Sequence, residues 1–360
     1  MKSSATSAQD FARPARAALP ADVWDYVQGG AGTESTVRAN RRALRRLRLR
    51  QRVLVDVSSF DPQVTVQGSP VAAPIGIAPT AYHRLVHADG ELATVRAAGR
   101  QGLPAVVSTF ASVPLEQLAE VATAPLWFQL YCFRDRALTV DLARRAEAAG
   151  YRALVLTVDT PVMGYRDRDL RNDFRVPPQV TAANLPSYPH DQESVAARTG
   201  MLVDPATTWR DVEWLAGLTG LPVVLKGVMT AGDAARAAGS GARALWVSNH
   251  GGRQLDGAAA SIDALGEVAD AWAGRGELYF DGGVRRGADV LKALAVGADA
   301  VFVGRPVLWA LAAGGEPAVR RMLELLQEEF VVTATVCGCP RVKDVDRSML
   351  CGAYGGGCGS

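Results

Sequence analysis

Eight short apolar runs recur along the chain, at residues 74–78, 105–108, 126–130, 153–158, 222–225, 244–247, 277–280 and 300–303. They are near-continuous rather than alternating, as expected of strands covered on both faces. Ala-rich segments with helical spacing lie between them, including residues 90–101, 138–149, 231–238, 262–273 and 286–295. Eight β-α units predict an α/β fold, a closed TIM-type (β/α)8 barrel over about residues 73–330. An open doubly wound sheet is the competing arrangement. With 48% hydrophobic and 21% charged residues, the 360-residue chain can bury one large core, and a single domain over residues 1–360 is expected.

The runs are evenly spaced with one exception, between residues 153 and 222. The extra chain, about residues 160–207, is rich in Pro, Asn, Asp and Arg. After a barrel strand such an insertion lies at the C-terminal face, where active sites form, and reads as a lid or substrate-selecting loop. Before the barrel, residues 8–29 carry helical spacing that ends at Gly29-Gly30, with Tyr26 in the last turn. Residues 40–50 look helical and basic. Residues 53–57 and 64–66 look like short strands, a hairpin closing one end of the barrel.

Net charge is +2, too close to neutral to argue for nucleic acid, and the basic run from Arg38 to Arg52 has no aromatic partners. No apolar run is long enough for a bilayer and the first residues carry no apolar signal core, so no membrane association and a cytoplasmic location are expected. The five cysteines do not have the spacing of a zinc motif, no metal is expected, and they read as reduced thiols. The Gly-rich tail, residues 351–360, is expected to be mobile.

If the barrel forms, polar residues at the strand ends converge on one mouth. In order these are Pro79, Thr80 and Ala81; Ser108; Gln129 and Tyr131; Thr157 and Asp159, with Arg166 in the following loop; Lys226; Ser248, His250 and Arg253; Asp281, Gly283 and Arg285; Gly304 and Arg305. His250 can change protonation near neutral pH, and Arg253 can grip a carboxylate with two hydrogen bonds. That pair suits chemistry on a small acid. Gly-rich turns with Arg after the seventh and eighth runs suit a phosphate. Lys226 ends an apolar run and needs a charge partner, either a structural carboxylate or the polar edge of a cofactor.

Taken together these segments resemble the FMN-dependent 2-hydroxy acid oxidases and dehydrogenases, the family of glycolate oxidase, lactate oxidase and mandelate dehydrogenase. The motif Ser-Asn-His-Gly-Gly-Arg-Gln-Leu-Asp at 248–256 carries the likeness most strongly. It is supported by Ala-Pro-Thr-Ala at 78–81, Phe-Gln-Leu-Tyr at 128–131, Thr-Val-Asp-Thr-Pro at 157–161, Leu-Lys-Gly-Val at 225–228, Asp-Gly-Gly-Val-Arg-Arg-Gly at 281–287 and Gly-Arg-Pro at 304–306.

The resemblance implies FMN across the strand ends. Pro79, Thr80 and Ala81 would lie by the ring. Ser108, Gln129, Thr157, Lys226 and Ser248 would meet its polar edge, with Lys226 stabilising the negative charge of the reduced flavin. Asp281, Gly283, Arg285, Gly304 and Arg305 would hold the phosphate. Tyr26, Tyr131, Arg166, His250 and Arg253 would bind substrate, with His250 as general base and Asp159 stabilising its charged form. This gives Tyr26, locally a packing residue, a place in the site.

Oxygen would reoxidise the flavin and yield hydrogen peroxide; a quinone or other acceptor is the alternative. Glycolate-specific members usually carry Trp where Phe110 stands, so an aromatic acid of the mandelate or 4-hydroxymandelate type is favoured over aliphatic acids. The resemblance also implies a homotetramer.

Overall fold

The structure is a computed structural model that describes residues 5–186 and 194–351. Its centre is a closed parallel barrel of eight strands, so the open-sheet alternative falls. A two-residue strand β1 (Arg48–Leu49) and a hairpin of β2 (Val64–Val66) and β3 (Ser69–Val71) precede it. The barrel strands are β4 (Ile75–Ile77), β5 (Ala105–Val107), β6 (Leu126–Leu130), β7 (Leu154–Thr157), β8 (Val223–Val228), β9 (Ala244–Val247), β10 (Glu277–Phe280) and β11 (Ala300–Val303). Each expected run forms its strand, shifted by a few residues. The fifth extends three residues beyond expectation, so that Lys226 lies within β8 rather than after it.

Alternate residues of each strand fill the barrel. Trp127, Val155, Val224, Trp246, Tyr279 and Phe302 are fully buried inside or nearly so, with Trp246 and Phe302 rings 4.1 Å apart. Gly76 leaves room for this layer: a Cβ there would sit 2.4 Å from the Phe302 ring. Truncating Phe302 to Ala would cost about 3–5 kcal/mol by the usual cavity rule.

Residues 53–57 form no strand, and Val53 and Leu54 are exposed. β-propensity alone misled there, because no partner or core lies beside them. The hairpin at the barrel's base exists, but β2 pairs with β3 through a Gln67-Gly68 turn. The Gln67 amide and side chain hold the Glu277 carboxylate at the start of β10.

The N-terminal helical segment is also interrupted. A short 3-10 turn leads into α1 (Ala12–Ala18), and Pro20 then starts α2 (Ala21–Gln28). Proline suits a helix start and cannot continue one. The basic stretch is α3 (Ser35–Arg46), whose buried stripe is Thr36, Asn40, Ala43 and Leu44. The outer layer comprises α4 (Glu91–Arg100), α5 (Leu115–Val121), α6 (Arg136–Ala148), α9 (Trp209–Ala216), α10 (Ala231–Ala237), α11 (Ser261–Trp272), α12 (Gly287–Val296) and α13 (Arg305–Val336). The insertion contributes α7 (Asp167–Arg171) and α8 (Val195–Leu202). Its residues 187–193 lie outside the described residues.

β12 (Leu350–Cys351) pairs antiparallel with β1, so the chain is ordered to Cys351 and the rest of the tail lies outside the described residues. Cys132, Cys337 and Cys339 are buried free thiols, whereas Cys351 is disulfide-bonded, against the expectation of a reduced thiol. No helix among the described residues is long and apolar enough to cross a membrane.

Candidate active site

A cavity opens at the C-terminal ends of the strands. Seventeen of the nineteen residues singled out from the sequence line it: Tyr26, Pro79, Thr80, Ala81, Ser108, Gln129, Tyr131, Thr157, Arg166, Lys226, His250, Arg253, Asp281, Gly283, Arg285, Gly304 and Arg305. The other two stand behind this lining. Asp159 backs His250, and Ser248 backs Lys226. The insertion adds Met163, Val195 and Thr199 to the wall, as a substrate-selecting loop would.

His250 sits just past β9 with φ +56, in the left-handed region that a side chain enters at some cost. Its Nδ1 lies 2.9 Å from Asp159 Oδ1, and its backbone N–H donates to Ser248 Oγ at 3.0 Å. No hydrogen bond among the described residues engages Nε2, so that nitrogen is available to a bound molecule. Burial pushes the His250 pKa below its ordinary value, with Asp159 pulling the other way and Lys226 adding to the depression. Burial raises the Asp159 carboxyl, but His250, Lys226 and the Thr160 hydroxyl outweigh it and hold the group ionised. The arrangement is a neutral imidazole with a charged carboxylate behind it, able to take up a proton and stabilise the result.

Two guanidiniums share this end. Arg253 donates to the carbonyls of Tyr26 and Gly29 at 2.8 Å and lies 5.2 Å from the centre of the Tyr26 ring. Arg166 is buried, and burial together with Arg253 pulls its pKa down to about 10, still charged at neutral pH. Its Nε donates to the Arg253 carbonyl at 3.3 Å. The nearest carboxylate, Asp169, stands 3.7 Å away. Tyr26 and Tyr131 are buried, and burial keeps both phenols protonated. Tyr26 stacks at 4.5 Å on Phe174, an insertion residue with no sequence signal of a role.

The polar middle of the cavity is a relay. Ser108 donates to Gln129 Oε1 at 3.2 Å, and Gln129 Nε2 donates to Thr157 at 3.1 Å. Lys226 donates to Ser248 at 3.1 Å, Ser248 donates to Asp281 at 2.7 Å, and the Lys226 ammonium lies 3.6 Å from Asp281. Asp281 is thus the charge partner that Lys226 needed. Behind Thr80, the buried His83 meets it at 2.7 Å and Thr94 at 3.0 Å.

At the far end Arg285 is a buried cation and Arg305 a half-buried one, and the Nε of each has no hydrogen-bond partner. Arg305 donates to the carbonyls of Gly251 and Gly29 at 2.8 Å, sharing the Gly29 carbonyl with Arg253. Burial, Arg41 and Arg305 push Arg285 well below its ordinary value; burial, Arg253 and Arg166 pull Arg305 down to about 9. Arg41, missed in the sequence inside its basic run, donates to the Gly283 carbonyl at 2.7 Å. Crowded cations with unspent donors beside Gly282 and Gly283, both at positive φ, form a cradle for a dianion. A phosphate at this end, a planar ring across the relay and a small acid beside His250 fit the residues present.

Comparison with known proteins agrees with this geometry. The family model for FMN-dependent dehydrogenases matches residues 15–352. The chain is similar to an L-lactate oxidase of Nostoc sp., 47% identical over 95% of this chain and 96% of that protein. It is similar to a 4-hydroxymandelate oxidase of Amycolatopsis orientalis, 48% identical over 93% and 95%. A crystal structure of mandelate oxidase with (S)-4-hydroxymandelic acid superposes with a TM-score of 0.92, at 46% identity, covering 96% of this chain and 98% of that one. The chain belongs to the FMN-dependent dehydrogenase family, among relatives that are oxidases of 2-hydroxy acids.

Proposed function

We propose that the protein oxidises an (S)-2-hydroxy acid of the mandelate or 4-hydroxymandelate type to its 2-oxo acid, passing electrons to oxygen with release of hydrogen peroxide. The observation that carries this reading is the single cavity in which His250, backed by Asp159, meets Arg166 and Arg253 beside the anion cradle. FMN supplies the two-electron acceptor when bound.

The residues divide the work. Arg166 and Arg253 bind the substrate carboxylate. Tyr26 and Tyr131, protonated at any working pH, donate hydrogen bonds to its oxygens. His250 accepts a proton at Nε2, and Asp159 stabilises the imidazolium through Nδ1. Pro79, Thr80 and Ala81 would line the flavin ring. Ser108, Gln129, Thr157, Lys226 and Ser248 would hold its polar edge, with Lys226 supplying a cation for the reduced, negatively charged form. Asp281, Gly283, Arg285, Gly304 and Arg305 would hold the ribityl phosphate.

An aromatic substrate is supported by the side chains around the acid-binding end, Tyr26, Phe110, Tyr131, Met163 and Val195, and by the mandelate oxidase likeness. A lactate-type aliphatic acid is the second reading, favoured by the similarity to the Nostoc enzyme. The same proposal takes residues 1–360 as one domain of a cytoplasmic homotetramer.

Anaerobic stopped flow with a panel of 2-hydroxy acids of both hands tests it. Fastest flavin bleaching by the (S)-mandelates, with peroxide matching acid consumed once air is admitted, is the expected result. Fastest bleaching by (S)-lactate installs the second reading. Bleaching by no 2-hydroxy acid overturns both, and reduced flavin that persists in air makes the protein a dehydrogenase.

A further inference from the structure

The loop that carries His250 and the loop that cradles the anion do not only face one cavity; both rest on one residue of α3. Asn40 is 1% exposed. Its Nδ2 donates to Asn249 Oδ1 at 2.9 Å, and Asn249 Nδ2 donates back to Asn40 Oδ1 at 2.8 Å. Asn249 immediately precedes the base. The pairing has one consistent orientation. Asn249 Oδ1 also accepts from the Gly252 N–H at 3.1 Å and its Nδ2 also donates to the Ala259 carbonyl at 2.9 Å, while Asn40 Oδ1 accepts from the Ser261 N–H at 3.1 Å. Every polar atom of the two amides is used, so neither can rotate without orphaning a buried group.

On its other side Asn40 is packed by the glycines of the anion cradle. A Cβ at Gly283 would lie 2.9 Å from the Asn40 carbonyl, and one at Gly282 would lie 3.5 Å from its side-chain nitrogen. The next residue, Arg41, holds the Gly283 carbonyl. A second bolt fixes α3 to the same base-bearing loop: the Asp256 carboxylate accepts from the Thr33 and Thr36 N–H groups and from the Thr33 and Ser35 hydroxyls, at 2.6 to 3.0 Å. Those hydrogen bonds hold Asp256 far below the usual carboxylate range.

We propose that Asn40 is a positioning residue that couples the two loops, so that gripping the cofactor phosphate and aiming His250 are one event. It touches neither substrate nor flavin and acts through Asn249 and through the backbone of the Gly282-Gly283 turn. The inference rests on the FMN-dependent oxidase reading for its rate arm, and its binding arm is independent of activity.

Asn40→Ala and the near-isosteric Asn40→Asp test it, with Arg46→Ala as a control on the same helix, where only an exposed ion pair to Asp263 is lost. FMN and riboflavin dissociation constants are measured on apoprotein, with circular dichroism confirming the fold. Flavin reduction is then followed anaerobically at saturating FMN and substrate. In Asn40→Ala, FMN affinity should fall about 10-fold or more and riboflavin affinity much less, and the reduction rate should fall roughly 10- to 100-fold with substrate KM nearly unchanged. Asn40→Asp, which sets a buried carboxylate oxygen against Asn249 Oδ1, should show the same pattern at least as strongly, and Arg46→Ala neither loss. Equal loss of FMN and riboflavin affinity, or loss of only one of the two readouts in a folded variant, overturns the coupling. A wild-type protein that binds FMN but is reduced by no 2-hydroxy acid instead fails the functional reading, and the two affinities still decide the loop contact.

Discussion

Asp159 reaches His250 across a position that tolerates no side chain. A Cβ on Gly227 would lie 2.7 Å from the Asp159 Cβ and 2.9 Å from its Cγ, and Gly227 has φ +115. The glycine interrupts the β8–β9 register between Lys226 and Val228, just where the carboxylate must pass. Gly227→Ala should therefore fold, keep its flavin, and lose flavin reduction by roughly 10- to 100-fold through a displaced carboxylate. Single-turnover reduction of the yellow variant measures this, and a wild-type rate would show that the glycine serves the strand alone.

The base itself gives a larger effect. His250→Ala should retain FMN and lose about 10²- to 10⁴-fold in reduction rate, the span of a positioned general base. Full-speed reduction would remove His250 from the proton transfer.

The pH profile carries a sign. His250 must be neutral to accept a proton, so the rate rises with pH through its pKa, and burial sets that pKa below the ordinary 6.5. Asp159 pulls it upward, so Asp159→Asn should move the acid limb to lower pH while reducing the plateau. An acid limb that stays put, or moves to higher pH, would contradict the pairing.

What could be read from the chain before its structure follows from range. The barrel was legible because each buried strand announces itself locally, and the site residues were legible because strand ends in a closed barrel must converge. Residues 53–57 misled because their apolar content has no covering layer, which only tertiary position decides. Pro20 broke a spacing that otherwise looked continuous. Asn40, Arg41, His83 and Phe174 were invisible for another reason. Asn40, Arg41 and Phe174 act on residues far along the chain, whereas His83 meets Thr80 three positions back; a lone Asn, an Arg within a basic run, a Phe in a loop or a single His has no local pattern. Asn249 and Asp256 could have been noticed, since both lie within the 248–256 motif, yet their partners in α3 could not.

The anion cradle predicts the behaviour of the apoprotein. Without a dianion, the buried Arg285 bears the charge of both Arg41 and Arg305. Removing FMN should lower the Tm, inorganic phosphate should restore part of it, and FMN at about 100 times its Kd should add about 2.7 kcal/mol of stability. Arg285→Met, which keeps bulk against Trp309, should weaken FMN binding far more than riboflavin binding and abolish the phosphate effect. Thermal melts with and without phosphate would refute the cradle if they coincide.

Phe110 tests the substrate class. It is buried, with ring centres 6.0 Å from Tyr82 and 5.9 Å from Tyr131, and lines the cavity beside the acid-binding residues. A larger indole there would occupy space that an aryl group on the substrate needs, while a methyl group or hydrogen would still fit. Phe110→Trp should therefore lower kcat/KM for (S)-mandelate by about 10-fold or more relative to (S)-lactate or glycolate, since overfilling a packed site costs about 1–3 kcal/mol. The ratio between substrates is the measurement, because a general loss of activity cancels from it. A ratio unchanged by the indole would place the substrate side chain elsewhere in the cavity, against the Met163 and Val195 wall.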